Sequence, residues 1–62
     1  MIVHEYDIPE GGQIRFQVFG KTTFCYIEWE QDGISMSVCG HGYGEQNALD
    51  EARLKKERML SA

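Results

Sequence analysis

The fold is decided by residues 13–39, QIRFQVFGKTTFCYIEWEQDGISMSVC, in which two short turn signals separate three stretches of alternating apolar and polar residues. Asp32-Gly33 between two such stretches favours a type I′ hairpin turn, whose two central residues both have positive φ. Gly20-Lys21 fits a second two-residue loop. Together these turns predict three consecutive antiparallel strands.

The two turns also fix which residues lie opposite each other. They place Phe16 opposite Cys25 and Ile27 between Ile14 and Val38, and directly opposed residues share a face of the sheet. One predicted face is apolar: Ile14, Phe16, Val18, Cys25, Ile27, Trp29, Ile34, Met36 and Val38. The other face collects Arg15, Gln17, Phe19, Phe24, Tyr26, Glu28, Glu30, Ser35, Ser37 and Cys39. Because two independent turns agree on one buried side, we predict a three-stranded meander over 13–39.

Residues 45–60 predict a helix that covers this apolar face. The segment contains no Gly, Pro or Ser and is rich in good helix formers. Its apolar stripe, which would leave Leu54 partly exposed, comprises Leu49, Ala52 and Leu60 with the stem of Lys56, widened by Ala48 and Met59. We expect Trp29 to be buried between sheet and helix. The predicted class is therefore α+β, in the order β-β-β-α.

An N-terminal arm, residues 1–10, precedes this unit. Pro9 begins a turn over 9–12, and the arm alternates Ile2, His4, Tyr6 and Ile8 on one side with Val3, Glu5 and Asp7 on the other. The arm either adds a fourth strand or lies across the outer sheet face.

Length and composition limit the classes of function that the chain can have. The 62 residues have 42% hydrophobic and 26% charged side chains, which is typical of one small globular domain spanning 1–62. A net charge of −4 disfavours simple phosphate binding. The sequence has no transmembrane or signal-peptide run, so we expect a cytoplasmic protein that binds no membrane, as a monomer or a homodimer.

The cysteines and histidines predict neither a disulfide, a metal site nor an enzyme. Cys25 and Cys39 fall on opposite faces, which separates their thiols. The possible zinc ligands, Cys39, His41, His4 and Cys25, lack the ligand spacing of zinc sites, so no metal or other cofactor is expected. Cys39 and His41 are the residue types of a nucleophile pair, and the glycines before the helix are typical of an anion site. However, Glu45 already occupies the helix start, and so small a core leaves no deep pocket.

The passage Gly40-His41-Gly42-Tyr43-Gly44-Glu45-Gln46-Asn47-Ala48-Leu49-Asp50-Glu51-Ala52 resembles the last helix of double-stranded-RNA-binding domains. That family has Gly-x-Gly-x-Ser-Lys-Lys-x-Ala-Lys-x-x-Ala, and the resemblance, over about residues 13–60, implies its β-β-β-α topology. The family's phosphate-binding lysines fall on Glu45, Gln46 and Leu49, and its first helix has no room before Ile14, so the resemblance does not imply RNA binding here. A similar passage occurs in antitoxins that neutralise an RNA-cleaving toxin with a related fold.

The outer sheet face is the predicted binding site. Phe19, Phe24 and Tyr26 lie together there, flanked by Glu28 and Glu30. An aromatic cluster with an acidic rim is typical of a surface that binds a basic protein.

Two alternatives remain for this cluster: Tyr6 and Ile8 of the arm cover it, or it stacks nucleobases. The sequence thus predicts a small acidic protein-binding module, of the kind encoded by phages or prophages as accessory proteins or inhibitors of a host protein. The alternatives are a degenerate double-stranded-RNA-binding-like domain and an antitoxin-like binder.

Overall fold

The computed structural model describes residues 2–9 and 11–61, which form a four-stranded antiparallel sheet and one helix. The elements are β1 (Ile2–Asp7), β2 (Gln13–Phe19), β3 (Thr22–Gln31), β4 (Ile34–Gly42) and α1 (Gly44–Ser61). The strands lie in sequence order, β1-β2-β3-β4, and α1 packs on β3 and β4. The predicted α+β class, a meander with one C-terminal helix, is confirmed, and the arm supplies the fourth strand.

The predicted register is confirmed at both hairpins. Phe16 lies opposite Cys25, and Ile27 lies between Ile14 and Val38. Asp32 and Gly33 have φ values of 54° and 78°, as a type I′ turn requires. In the other loop only Gly20 has a positive φ, of 60°. A glycine at the first central position is the signature of a type II′ turn.

The core lies between α1 and the helix side of strands β2, β3 and β4. Its buried apolar residues are Phe16, Cys25, Ile27, Trp29, Val38, Ala48 and Ala52. Trp29 is 7% exposed, as predicted, and the Lys56 ammonium lies 4.7 Å from the centre of its indole ring. The indole nitrogen donates a hydrogen bond of 3.3 Å to the side chain of Gln31. The aliphatic stem of Lys56 therefore belongs to the helix stripe, as expected from its position.

The predicted apolar face of the sheet and the predicted apolar stripe of the helix both extend too far at one end. Ile34 is 63% exposed, and Leu60 and Met59 are 50% and 42% exposed, so none of the three is in the core. Alternation assigns a residue to a face, but it does not say how far the helix covers that face. Ile34 follows the Asp32-Gly33 turn directly and lies at the end of the sheet.

The glycines before the helix belong to β4, which runs to Gly42, three residues beyond the predicted end at Cys39. His41 is consequently a strand residue. A Cβ atom on Gly40 would lie 2.4 Å from the Ala52 backbone nitrogen and 2.6 Å from the Ala48 carbonyl oxygen. Gly40, Ala48 and Ala52 therefore allow helix and strand to touch through their backbones.

The turn between β1 and β2 is closed by two backbone hydrogen bonds. The Gly11 amide donates to the Ile8 carbonyl at 2.9 Å, and the Ile8 amide donates to the Gly12 carbonyl at 3.1 Å. Gly11 and Gly12 both have positive φ, which glycine adopts without strain. Glu10, part of the turn predicted over 9–12, lies outside the described residues.

Candidate functional site

The sheet surface opposite α1, called the open face below, contains all of the predicted binding residues. They are Phe19, Phe24, Tyr26, Glu28 and Glu30. The arm does not cover them, because Tyr6 pairs with Ile14 on the helix side and contacts the Phe16 ring edge-on at 6.0 Å. The alternative in which Tyr6 and Ile8 bury the aromatic cluster is therefore wrong.

One end of the open face is aromatic. Phe19 and Phe24 meet edge-to-face with ring centres 5.7 Å apart, and Phe19 is 49% exposed. On β4, the His41 ring lies 6.1 Å from the Phe24 ring. Val3 of β1 extends the same row, since it pairs with Gln17, which in turn pairs with Phe24. Phe19, His41 and Val3 are exposed to solvent, Phe24 is partly buried, and Gln17 lies between Phe24 and Val3.

The middle of the open face holds a cation on an aromatic ring. The Arg15 guanidinium lies 5.0 Å from the centre of the Tyr26 ring, within the range of a cation–π contact. Its Nε atom is buried and has no hydrogen-bond partner among the described residues. Both residues are partly buried, so Arg15 is held flat against the sheet rather than extended into solvent.

The other end of the open face is acidic. Asp7, Gln13, Glu28 and Ser37 lie side by side across the four strands, and Glu30 follows Glu28 on the same face. Glu28 and Glu30 are exposed, and neither forms an ion pair within the described part of the chain. A shallow cleft of about 700 Å³ opens beside them. Both carboxylates are therefore accessible to a partner.

The aromatic and acidic ends are a defined distance apart. Phe24 and Glu30 are on the same strand and the same face, and a strand rises about 3.3 Å per residue, so roughly 20 Å separates them. β1 contributes Val3 to the aromatic end and Asp7 to the acidic end. These β1 contributions were missed in the sequence, although the alternation of Val3, Glu5 and Asp7 was visible, because the pairing partner of the arm was not fixed.

The two cysteines lie on opposite faces, as predicted, and both are free. Cys25 is fully buried under the helix, and burial raises the pKa of its thiol to about 11, with the nearby Cys39 adding to the effect. Cys39 is opposite Tyr26 and partly buried on the open face. Within residues 2–9 and 11–61, no three His, Cys, Asp or Glu side chains come together as a metal site.

The helix start, where the resemblance to RNA-binding domains places lysines, makes internal contacts instead. Glu45 lies 2.6 Å from Nδ1 of His4 on β1. Gln46 donates a hydrogen bond of 2.9 Å to Asp50, and Leu49 packs against the core. None of the three matched positions carries a positive charge.

Comparisons with known proteins find no match from which a function could be inferred. No protein-family model matches the chain, and neither the curated proteins nor the solved structures include a significant match. No helix in the described part of the chain is both long and apolar enough to cross a membrane.

Proposed function

We propose that this protein is a small acidic binding module that docks on a basic surface of a partner protein through its open face. The observation that carries the proposal is the pair Glu28 and Glu30, exposed and without ion pairs among the described residues. Carboxylates that are free in the unbound protein attract Lys and Arg side chains over several ångströms and orient the encounter. The net charge of −4 acts in the same direction.

The aromatic end supplies the apolar contact that such a complex needs. The exposed Phe19 and the partly buried Phe24 form an edge-to-face pair, and Tyr26 lies between this pair and the carboxylates. Aromatic residues dominate the energetics of protein interfaces because they bury a large area at a small entropic cost. The partner therefore presents basic groups and an apolar contact roughly 20 Å apart.

Docking of this kind inhibits a partner whose basic surface normally binds nucleic acid. Glu28 and Glu30 then take the place of phosphates on that surface. Accessory proteins and inhibitors of phage or prophage type act in this way, by occupying a functional surface of a host protein.

Nucleobase stacking on Phe24 and Tyr26 is the competing function. Sheet faces with exposed aromatic residues stack bases in single-strand binders, where lysines and arginines surround the rings. Here Arg15 is the one Lys or Arg side chain of the described open face, and it lies against Tyr26. Two unpaired glutamates on the same strand oppose phosphate binding, so this alternative is less well supported.

The test is a comparison of three proteins immobilised in equal amounts and exposed to a nuclease-treated lysate. They are the wild type, the open-face variant Glu28→Lys with Glu30→Lys, and a helix control, Asp50→Lys with Glu57→Lys. Both control residues are exposed on α1, so the control makes the same change in net charge elsewhere. A protein that binds the wild type and the control, but not the open-face variant, is the expected result. Equal retention by all three proteins, or retention only without nuclease, contradicts the proposal.

Affinity for the purified partner then separates the two ends of the open face. Tyr26→Ala is expected to weaken binding by about 1–2 kcal/mol at any salt concentration, because it removes contact area. Glu28→Lys with Glu30→Lys is expected to weaken binding most at low salt and to reverse the salt dependence. Isothermal titration calorimetry at two salt concentrations measures both effects.

A further inference from the structure

The two edge strands of the sheet, β4 and β1, differ in whether other residues cover their outward backbone groups. At the β4 edge, the Lys55 ammonium donates a hydrogen bond of 2.8 Å to the Cys39 carbonyl oxygen. Glu51 Oε1 lies 3.2 Å from Lys55 Nζ and 3.2 Å from His41 Nδ1. The hydrogen bond from Lys55, and secondarily the charge of His41, lower the pKa of Glu51, which keeps this carboxylate ionised. Helix side chains therefore cover the middle of the β4 edge.

The register shows which backbone groups of β1 face outward. In a two-residue hairpin the residues that flank the loop form a hydrogen-bonded pair, here Phe19 and Thr22, and the bonding then alternates along each strand. Residues 13, 15, 17 and 19 of β2 consequently bond to β3, and residues 14, 16 and 18 bond to β1. It follows that Val3, Glu5 and Asp7 turn their N–H and C=O groups away from β2.

At the opposite edge of the sheet, β4 shows the same alternation of inward and outward backbone groups. The Asp32-Gly33 hairpin makes Gln31 and Ile34 a bonded pair, which turns the odd-numbered residues of β4 outward. Cys39 is one of these, and its carbonyl is the group that Lys55 reaches. At the β1 edge, no described residue outside the strand pairs with the outward backbone groups of Val3, Glu5 and Asp7.

The side chains along β1 differ in character on its two sides. Val3, Glu5 and Asp7 lie on the open face, and neither carboxylate forms an ion pair within residues 2–9 and 11–61. On the helix side, a groove of about 300 Å³ borders the half-exposed Tyr6 and is lined mainly by apolar side chains. The lining residues are Tyr6, Ile14, Phe16, Glu45, Gln46 and Leu49.

We propose that β1 is a docking edge for an extended segment of a partner protein in which basic and apolar residues alternate. The segment adds a fifth strand and bonds to the backbone of Val3, Glu5 and Asp7. Since opposed residues share a face, its basic side chains lie beside Glu5 and Asp7, and its apolar side chains lie beside Tyr6. Strand addition obtains affinity from the backbone and specificity from the alternating side chains. This contact goes beyond docking on the open face, because it uses the strand edge.

The direct test is amide hydrogen exchange in the wild-type protein with two synthetic peptides of about eight residues. One peptide alternates lysine and valine, and the other has the same composition with lysines and valines in separate blocks. The alternating peptide is expected to protect the amides of Val3, Glu5 and Asp7 and to leave those of His4 and Tyr6 unchanged. Equal binding of the blocked peptide, or no added protection along β1, overturns the proposal.

Two variants separate the backbone contact from the charge contact. Glu5→Pro removes an outward N–H group without removing a bond to β2, as proline allows on an edge strand, and is expected to abolish peptide binding. Glu5→Gln is its matched control, because it removes the same carboxylate and keeps the N–H group, and it is expected to weaken binding only in part. Glu5→Lys with Asp7→Lys is expected to weaken binding by about tenfold or more, whereas Asp50→Lys with Glu57→Lys changes it little. If Glu5→Pro disturbs β1 itself, the charge-reversal variant still tests the proposal. Equal peptide affinity for Glu5→Lys with Asp7→Lys and for Asp50→Lys with Glu57→Lys would contradict the contact between the basic side chains and β1.

Discussion

Successive residues of β3 have opposite surroundings. Cys25, Ile27 and Trp29 are buried under α1, whereas Glu28 and Glu30, on the same strand, are exposed. The difference arises because the described residues form one helix, which packs on one side of a two-sided sheet. The helix side therefore holds the fold together, and the open face is left to contact something else. Substitutions on the two sides should separate stability from binding.

Trp29→Ala is expected to have the largest effect on the helix side. Removing the indole takes away the ring that packs between sheet and helix and supports the Lys56 stem. The free energy of unfolding should fall by roughly 3–5 kcal/mol, which is enough to unfold so small a domain. Circular dichroism with thermal melting measures the loss, and Trp29→Phe is the matched control that keeps a ring at this position. A Trp29→Ala protein that melts like the wild type would contradict the buried position of the indole.

Gly40→Ala is expected to have the next largest effect, although it adds a single methyl group. The new Cβ atom would lie 2.4 Å from the Ala52 nitrogen and 2.9 Å from its Cα, so α1 must move away from β4. Overpacking of this kind costs about 1–3 kcal/mol. Gly42→Ala is the control, because its Cβ atom would approach its nearest neighbour, the Asn47 Cβ atom, to 2.9 Å, which is a less severe overlap. Chemical denaturation should rank Gly40→Ala below Gly42→Ala, and the reverse order would contradict the contact at Gly40.

High pH is expected to weaken the helix side through Cys25. Burial raises the pKa of this thiol from 9.0 to about 11, so between these values the unfolded chain has lost a proton that the folded chain keeps. Stability is therefore fully present below about pH 9 and declines as the pH rises towards 11, by an amount on the order of 2 kcal/mol. Urea unfolding across this range measures the slope. Cys25→Ala should flatten it, and an unchanged slope in that variant would assign the alkaline loss to other groups.

The strand pairing was readable from the sequence because it depends on local chemistry. Asp32-Gly33 and Gly20-Lys21 fix loop length and turn type, and each turn fixes the register of the strands that it joins. Two turns that agree on one apolar face identify the buried side of β3, including Trp29. The residues of the open face are those that the pattern leaves on the other side, which is why its aromatic and acidic residues were correctly assigned to one face of the sheet.

Features that depend on how much of the sheet the helix covers could not be predicted from the sequence. Ile34 and Leu60 fit the apolar pattern yet are exposed, because the pattern gives a direction for each side chain and no extent for the covering element. Gly40 and Gly42 indicate a loop by composition, but they are strand residues that permit close helix contact. The hydrogen bond from Lys55 to the Cys39 carbonyl depends on the rotation of α1 about its axis, which no local pattern fixes.

The smallest effect on stability is expected from Glu28→Lys with Glu30→Lys on the open face. Both side chains are exposed and form no ion pair within the described part of the chain, so the change should stay within about 0.5 kcal/mol. A slight gain is expected at low salt, because Asp7 lies in the same row as Glu28 and the reversal removes repulsion between like charges. Urea unfolding monitored by Trp29 fluorescence compares this variant with Asp50→Lys and Glu57→Lys. A loss above about 1.5 kcal/mol in the open-face variant alone would mean that these carboxylates serve the fold, and the contrast between the two faces of β3 would fail at that point.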